Sequence, residues 1–358
     1  MSYFLVDEFE NMDPYVPGEQ PRDKKYIKLN ANETSVPPSP KVLEAVSKEE
    51  IMKMGKYSDP RCLSLRKAIA DEYNVDVDQI FVGNGADEVL GFILMSFFCS
   101  RQKLCCPDIT YEFYKGYANT YRVNLKQFPV NDDFTINVDD YVKTKRDVIL
   151  ANPNNPTGLF IPKEDIERIV KVNPKRMVIV DEAYIDFAGE SCIDLVDKYK
   201  NLVVVHTFSK SRNLAGARLG YAISSKEIID DLREIKFCFN PYNLSRLALN
   251  IGAAAIQDNE YKDKCVSNIV MTRENTKIEL GRLGFTGLDT QTNFVFVTHP
   301  KVDAAKMAAE LKNRGILIRH YKSPRLCKYL RITIGTNEEM EHTINTIKDI
   351  MKEWNILD

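Results

Sequence analysis

The stretch LVVVHTFSKSRNLAGARLGYAI, residues 202–223, sets the reading of the chain. It opens on an uninterrupted apolar run, Leu202 to Val205, and closes on a second, Leu219 to Ile223. Runs of aliphatic residues without polar alternation are what strands buried on both faces require. The same pattern recurs upstream at Ile80 to Val82, Lys103 to Cys106, Val148 to Ala151 and Met177 to Val180. Helix-length amphipathic segments separate most of these runs, and helix between successive strands implies parallel neighbours. The sequence therefore predicts an α/β fold whose larger part is a doubly wound domain with a mostly parallel sheet.

Outward from this core, SVPPSP at residues 35–40 suits neither a helix nor a central strand. Residues 1–40 are expected to form an extended N-terminal arm and residues 41–250 the large domain. Val89 to Ser100 is the longest uncharged stretch, well short of the roughly 20 residues a membrane span needs, and reads as a buried helix. After Pro241 the pattern changes to a long helical region from Leu244 to about Leu283. A strand-like NFVFV (293–297), a helix near Val302 to Arg314, strands around Ile316 to Ile318 and Leu330 to Ile334, and a last helix from Met340 to Trp354 follow. Residues 251–358 thus read as a smaller α+β domain.

Of the 358 residues, 44% are hydrophobic and 28% charged, an ordinary composition for a folded globular chain. Lysine and arginine number 49 against 51 aspartate and glutamate, a formal charge of −2. That balance gives no footprint for nucleic acid or an anionic membrane, so the expected partners are small molecules, with anions held by local arginines. The start, MSYFLVDEFENMDPYVPG, is acidic and does not read as a signal peptide. Eight cysteines without a CxxC pair read as reduced thiols of a cytoplasmic protein, and four histidines without metal spacing give no reason to expect a metal.

In open α/β sheets ligands bind outside the carboxyl ends of the strands. The residues following the runs are GNGADE (83–88), NPNNPTG (152–158), DEAY (181–184) and HTFSK (206–210). Lys210 at a strand end would lose hydration and have its pKa lowered, as an imine-forming amine requires, although a lysine there is by itself more simply a solvated loop residue. Asp181 ends a run of pure aliphatics, where a carboxylate needs a cation, and a protonated pyridine nitrogen would serve. Ala86 and Asp87 open a helix whose free amides can take a phosphate. Ser209 and Arg218 could complete such a cup with a hydroxyl and a guanidinium, the plainer reading of Arg218 being a surface strand arginine.

Asn155 in NPNNPTG, Asp181 and Tyr184 in DEAY, Lys210 in TFSK and Arg218 in GARLGY resemble, in order and spacing, the fold type I pyridoxal phosphate aminotransferases. Within them, LNANET (29–34), YSDP (57–60), GNGADE and LRIT (330–333) are similar to the histidinol-phosphate aminotransferase family. The resemblance covers nearly the whole chain. It implies pyridoxal 5'-phosphate as cofactor, with Lys210 as its covalent anchor and the base that moves the substrate proton. Asp181 would keep the pyridine nitrogen protonated, and Tyr184 and Asn155 would hydrogen-bond the phenolate oxygen. Tyr111 would stack on the ring, its bland alternative being a core aromatic. Ala86, Asp87, Thr207, Ser209 and Arg218 would hold the cofactor phosphate, joined by Tyr57 from the second subunit of a homodimer with shared active sites. Tyr15, Asn155, Arg319 in ILIRHY and Arg331 in YLRITIG would bind substrate. The Asn155–Pro156 peptide bond would be cis. Two positions depart from the family pattern and bear on substrate preference: Ile109, where proline is usual, and SKSRN at 209–213.

The reaction implied is transamination between L-histidinol phosphate and 2-oxoglutarate in histidine biosynthesis. Aromatic amino acid transamination and threonine-phosphate decarboxylation use the same cofactor set. A non-catalytic protein that has kept the fold is disfavoured by the joint presence of Lys210 and Asp181.

Overall fold

The computed structural model describes residues 4–6, 9, 15, 17–100 and 102–357. Most of the first half of the expected arm, residues 1–3, 7, 8, 10–14 and 16, lies outside them. In chain order the first eight strands are β1 (Ile27–Leu29), β2 (Ile80–Asn84), β3 (Lys103–Pro107), β4 (Asn124–Phe128), β5 (Asp147–Ala151), β6 (Val178–Asp181), β7 (Leu202–Thr207) and β8 (Leu219–Ile223). All but β1 form a seven-stranded sheet in the order β2-β8-β7-β6-β5-β3-β4. Strand β8 runs antiparallel to both its neighbours, and every other pair is parallel.

Six of these strands grow from the six apolar runs. The seventh, β4, carries no such run because it is an edge strand whose residues are exposed or half-buried. Along β6 the side chains divide between two cores. Val178 and Val180 pack with Leu150, Val204 and Ile69 on one face. Ile179 packs on the other with Ile149, Val203 and the helix Gly85–Phe98, which buries Val89, Leu90, Ile93 and Leu94. Each such side chain contributes about 1.5–3 kcal/mol on burial, which is why unbroken aliphatic runs mark the central strands.

The remaining strands are β9 (Thr286–Gly287), β10 (Phe294–Thr298), β11 (Ile316–His320) and β12 (Tyr329–Thr333). They make a second sheet in the order β1-β11-β12-β10-β9. Three residues of the expected arm thus serve as its edge strand, with Leu29 paired in parallel to Ile318. The helices Asn259–Arg282, Ala304–Asn313 and Asn337–Glu353 cover this sheet through Ile269, Leu280, Met307, Leu311, Ile347 and Ile350. The helical region expected from 244 to 283 is two helices rather than one. Arg246–Ile256 places Leu249, Ala255 and Ile256 in the core of the large sheet, and the chain breaks at Asp258, whose buried carboxylate accepts from Ser39.

Two glycines set the height at which the first helix after β2 rests on the sheet. Gly83 and Gly220 are opposite each other in β2 and β8. A Cβ on Gly220 would lie 2.3 Å from the Ala86 amide nitrogen, and one on Gly83 would lie 2.9 Å from Val89. The backbone amides of Ala86 and Asp87 can therefore settle over the carboxyl end of the sheet only with glycine beneath them. Gly220→Ala should lower stability by about 1–3 kcal/mol, the usual effect of overpacking, as measured by denaturant unfolding. Unchanged unfolding would show that the helix start can move aside.

Candidate active site

A cavity of about 320 Å³ opens at the carboxyl ends of β5, β6 and β7, against the start of helix 85–98. Twelve of the residues expected from the sequence line it: Tyr15, Ala86, Asp87, Tyr111, Asn155, Asp181, Tyr184, Thr207, Ser209, Lys210, Arg218 and Arg331. Arg319 lines an adjoining cavity of about 580 Å³, whose wall shares Tyr15, Tyr111, Asn155 and Arg331 with the first. Tyr57 lines neither. It is 79% exposed and stacks on Tyr242 with ring centroids 4.5 Å apart.

Asp181 is only 5% exposed. Its Oδ2 accepts from the Tyr114 hydroxyl at 2.8 Å and its Oδ1 from the Ala183 amide at 3.2 Å. Burial pushes its carboxyl up to about 6, and the Tyr114 bond pulls the other way. Lys210 Nζ donates to the Asn32 carbonyl at 3.0 Å and lies 5.6 Å from the centre of the Tyr184 ring. Burial, with Arg331 nearby, brings the amine down to about 8. About a tenth of it is then unprotonated at pH 7, far more than for a solvated lysine.

Beyond β2 the chain turns through Gly85, at φ +81°, into the helix whose first turn holds Ala86 and Asp87. A Cβ on Gly85 would meet the Arg218 guanidinium at 2.5 Å. Arg218, itself at φ +53°, pairs with Asp87 Oδ2 at 2.9 Å, and the Tyr111 hydroxyl donates to Asp87 Oδ1 at 2.8 Å. The Asp87 carboxylate is therefore occupied in fixing Arg218 and Tyr111, and what it offers the cavity is its backbone amide. Thr207 and Ser209 are linked at 3.0 Å through their hydroxyls. Amides at a helix start, two hydroxyls and a guanidinium make an anion cradle.

Arg331 is buried on β12, donating to Asn155 Oδ1 at 2.8 Å and to the Asn30 carbonyl at 3.0 Å, while its Nε has no partner. Its antiparallel partner in β11 is Arg319, which lies 5.4 Å from the centre of the Tyr321 ring. The Asn155–Pro156 bond is cis as the resemblance implied, and so is Asn152–Pro153. Within SKSRN, Ser209 and Lys210 line the first cavity but Ser211, Arg212 and Asn213 do not, and Ile109 lines the adjoining one. Ser211 bonds Asp186, Arg212 is buried against the Ala255 carbonyl and Asn259, and Ile109 packs with Phe134, Tyr321 and Leu326.

Sequence reasoning assigned no role to Asn30, Asn32, Tyr114 or Asn293. Asn32 donates to the Tyr184 hydroxyl at 2.8 Å, accepts from Lys210 and from Asn293 at 3.1 Å, and binds Thr333 through its amide at 3.0 Å. LNANET, already noted as a motif, was the signal for the first two.

A buried carboxylate with no side-chain cation, an amine near neutrality opposite an anion cradle, and an orphaned guanidinium nitrogen fit an aromatic cation bearing a phosphate. The profile of the family described as aminotransferase class I and II matches residues 24–347. A histidinol-phosphate aminotransferase of Brachyspira hyodysenteriae is 46% identical over 98% of this chain and 100% of its own length. The chain belongs to the histidinol-phosphate aminotransferases. A relative of the same name from Clostridium acetobutylicum is 44% identical over 98% of this chain and 99% of its own. The crystal structure of the histidinol-phosphate aminotransferase from Sinorhizobium meliloti in complex with pyridoxal-5'-phosphate superposes with a TM-score of 0.85. It is 25% identical and is covered over 92% of each chain. The family consists of pyridoxal-phosphate-dependent transaminases, and the architecture is their fold type I. No described helix is long and apolar enough to cross a membrane.

The electrostatics of Asp181 give a pH-dependent stability. Its folded carboxyl titrates near 6 against an ordinary 3.8, so the folded chain binds more protons than the unfolded one between those values. Stability then falls as pH rises from about 4 through 6. Without cofactor, Asp181→Asn should be more stable than the parent at pH 7.5 by on the order of 2–3 kcal/mol, with the difference closing near pH 4. Thermal unfolding across that range checks this, and an Asn variant that is less stable at pH 7.5 would contradict it.

Proposed function

We propose that this chain transfers the amino group of L-histidinol phosphate to 2-oxoglutarate, giving imidazole-acetol phosphate and glutamate, as a cytoplasmic homodimer in histidine biosynthesis. The observation that carries the reading is the joining of two cavities across Arg331: one holds Asp181 and Lys210, the other Arg319. Pyridoxal 5'-phosphate, when bound, supplies an aldehyde for the amino group and a ring that accepts electron density from the reacting carbon.

The side chains divide the work. Lys210 would hold the cofactor through Nζ and would serve as the base for the proton of the substrate Cα. Asp181 would hold the proton of the ring nitrogen. Asn155 has its oxygen engaged by Arg331, so its Nδ2 is the group left to donate to the phenolate oxygen. Tyr184 accepts from Asn32, which leaves its own hydroxyl proton for the same oxygen. Tyr111, held by Asp87, would pack against the ring. Ala86 and Asp87 through their amides, with Thr207, Ser209 and Arg218, bind the cofactor phosphate. Arg319, Arg331, Asn155 and Tyr15 hold the phosphate of the donor and, in the second half-reaction, the carboxylates of 2-oxoglutarate. We divide the chain into an arm (1–40), a cofactor-binding part (41–250) and a substrate-closing part (251–358).

Assay of amino donors with 2-oxoglutarate tests the reading. Histidinol phosphate should yield glutamate with a kcat/KM well above that of phenylalanine, and threonine phosphate should release no carbon dioxide. Carbon dioxide release, or a preference for phenylalanine, would replace it with one of the alternatives. Lys210→Ala should still bind cofactor through the cradle and Asp181, should lose turnover, and after borohydride treatment should show no covalent mass increase.

Tyr57 supports the shared site by its position. Near it, Met52, Met54, Phe239 and Tyr242 are also exposed, the kind of apolar surface a subunit interface covers. Tyr57→Phe should weaken cofactor binding by one hydrogen bond to a phosphate, about 1.5–3 kcal/mol. Hybrids of Tyr57→Phe with Lys210→Ala subunits should contain one intact site and, at limiting cofactor, exceed both parent homodimers in activity. A fully active monomer would overturn the arrangement.

A further inference from the structure

We propose that Tyr114 is a positioning residue for the transamination, holding the Asp181 carboxylate through its hydroxyl so that it meets the cofactor's ring nitrogen ionised and in a fixed orientation. This rests on the reading of Asp181 as the partner of that nitrogen.

Tyr114 does not line the cavity. It lies in the first turn of the helix Phe113–Thr120, is fully buried, and donates its hydroxyl to Asp181 Oδ2 at 2.8 Å. Among the described residues the only other bond to this carboxylate is the Ala183 amide at 3.2 Å on Oδ1, longer and therefore the weaker constraint. Tyr111, three residues earlier, packs edge-on to Tyr114 with ring centroids 5.7 Å apart and an interplanar angle of 89°. One short segment thus presents a ring to the cavity at 111 and a hydroxyl to Asp181 Oδ2 at 114. The geometry assigns them complementary roles.

The phenol suits this task because it cannot change its charge. Burial, reinforced by Asp181, raises it well above its ordinary range, so it remains a neutral donor at every working pH. The charges bearing on Asp181 from neighbouring elements are Asp87, which pushes its carboxyl up, and His206, which pulls it down. His206 is itself tied to Glu182 at 2.8 Å. Of the influences that favour the ionised carboxylate, the Tyr114 bond is the largest. Removing a hydrogen bond to a charged acceptor corresponds to about one to two pH units in the acceptor's titration. Below the pKa of Asp181 in the cofactor-free chain, binding a protonated pyridine must expel a proton, and affinity falls tenfold per pH unit.

The test is the dissociation constant for pyridoxal 5'-phosphate, measured by fluorescence quenching from pH 5.5 to 8.5, for the parent, Tyr114→Phe, Asp181→Asn and the double variant. Tyr114→Phe should match the parent at pH 8.5 within about threefold. At pH 6 it should bind about fivefold to fiftyfold more weakly, its acid limb displaced upward by one to two units. In the Asp181→Asn background the same substitution should leave the pH profile unmoved. A uniform loss at every pH, or no loss, would overturn the proposal, since a merely structural tyrosine moves the affinity without moving the limb. If Asp181→Asn itself binds cofactor like the parent, the reading of Asp181 fails instead. Should Tyr114→Phe not fold, the double variant, which has no carboxylate left to satisfy, should fold and bind at the level of Asp181→Asn. Failure of both would mark Tyr114 as a packing residue only.

Discussion

A carboxylate at the end of the central strand of a seven-stranded sheet, with no side-chain cation beside it, is the constraint from which the rest of the site follows. Asp181 closes β6, the fourth of the seven strands in spatial order, where both faces of the sheet are covered. Ion burial without a partner costs several kcal/mol, so the fold gives up stability at this point. Its neighbours limit that loss without removing it. The Asn152 amide caps the Asp181 carbonyl at 2.8 Å, Glu182 continues the ladder to Val205 at 2.8 Å, and one tyrosine and one amide reach the side chain. What remains unmet is a positive charge, which is what a protonated pyridine ring brings.

The two sheets are tied at the site by hydrogen bonds: Lys210 donates to the Asn32 carbonyl, Asn32 Nδ2 to the Tyr184 hydroxyl and Arg331 to Asn155 Oδ1. The carbonyl of Asn30 accepts from Arg331, and that of Asn32 accepts from both Lys210 and Asn293. Residues 30–32 thus continue β1 of the second sheet directly into the cavity floor of the first. Carbonyl acceptors hold the Lys210 and Arg331 cations in place without neutralising them. A carboxylate in either position would compete with the cofactor and the substrate anions for the same charges.

How much of this was legible in the sequence depends on whether the signal is local. Strands buried on both faces announce themselves as aliphatic runs, so β2, β3 and β5–β8 could be read from composition within a few residues. Strand β4 could not, because an edge strand needs no apolar face. Nor could β1, whose three residues become a strand only by pairing with β11, some 290 positions away. At the site, residues placed by strand ends were readable: Asp181, Thr207, Ser209 and Lys210 each follow a run. Tyr114 was hidden among 17 tyrosines, since nothing near it in the sequence says that its hydroxyl meets a carboxylate 67 residues on. Asn293 was hidden for the same reason, whereas LNANET marked Asn30 and Asn32 without revealing their partners on other elements.

The two titrating groups show why the site must be built this way. Asp181 is moved up to about 6 and Lys210 down to about 8, each toward its neutral form. Had they been paired with each other, each would have stabilised the other's charge and both shifts would have reversed. The amine would then be protonated and unreactive, and the carboxylate would be unavailable to a ring nitrogen. Lys210 is directed instead to the Asn32 carbonyl and Asp181 to Tyr114. Separation leaves the amine nucleophilic and the carboxylate in need of a cation, so a single ligand that offers an electrophilic carbon to one and a protonated nitrogen to the other relieves both at once. The instability of the unliganded site and its affinity for such a ligand are therefore two expressions of the same separation.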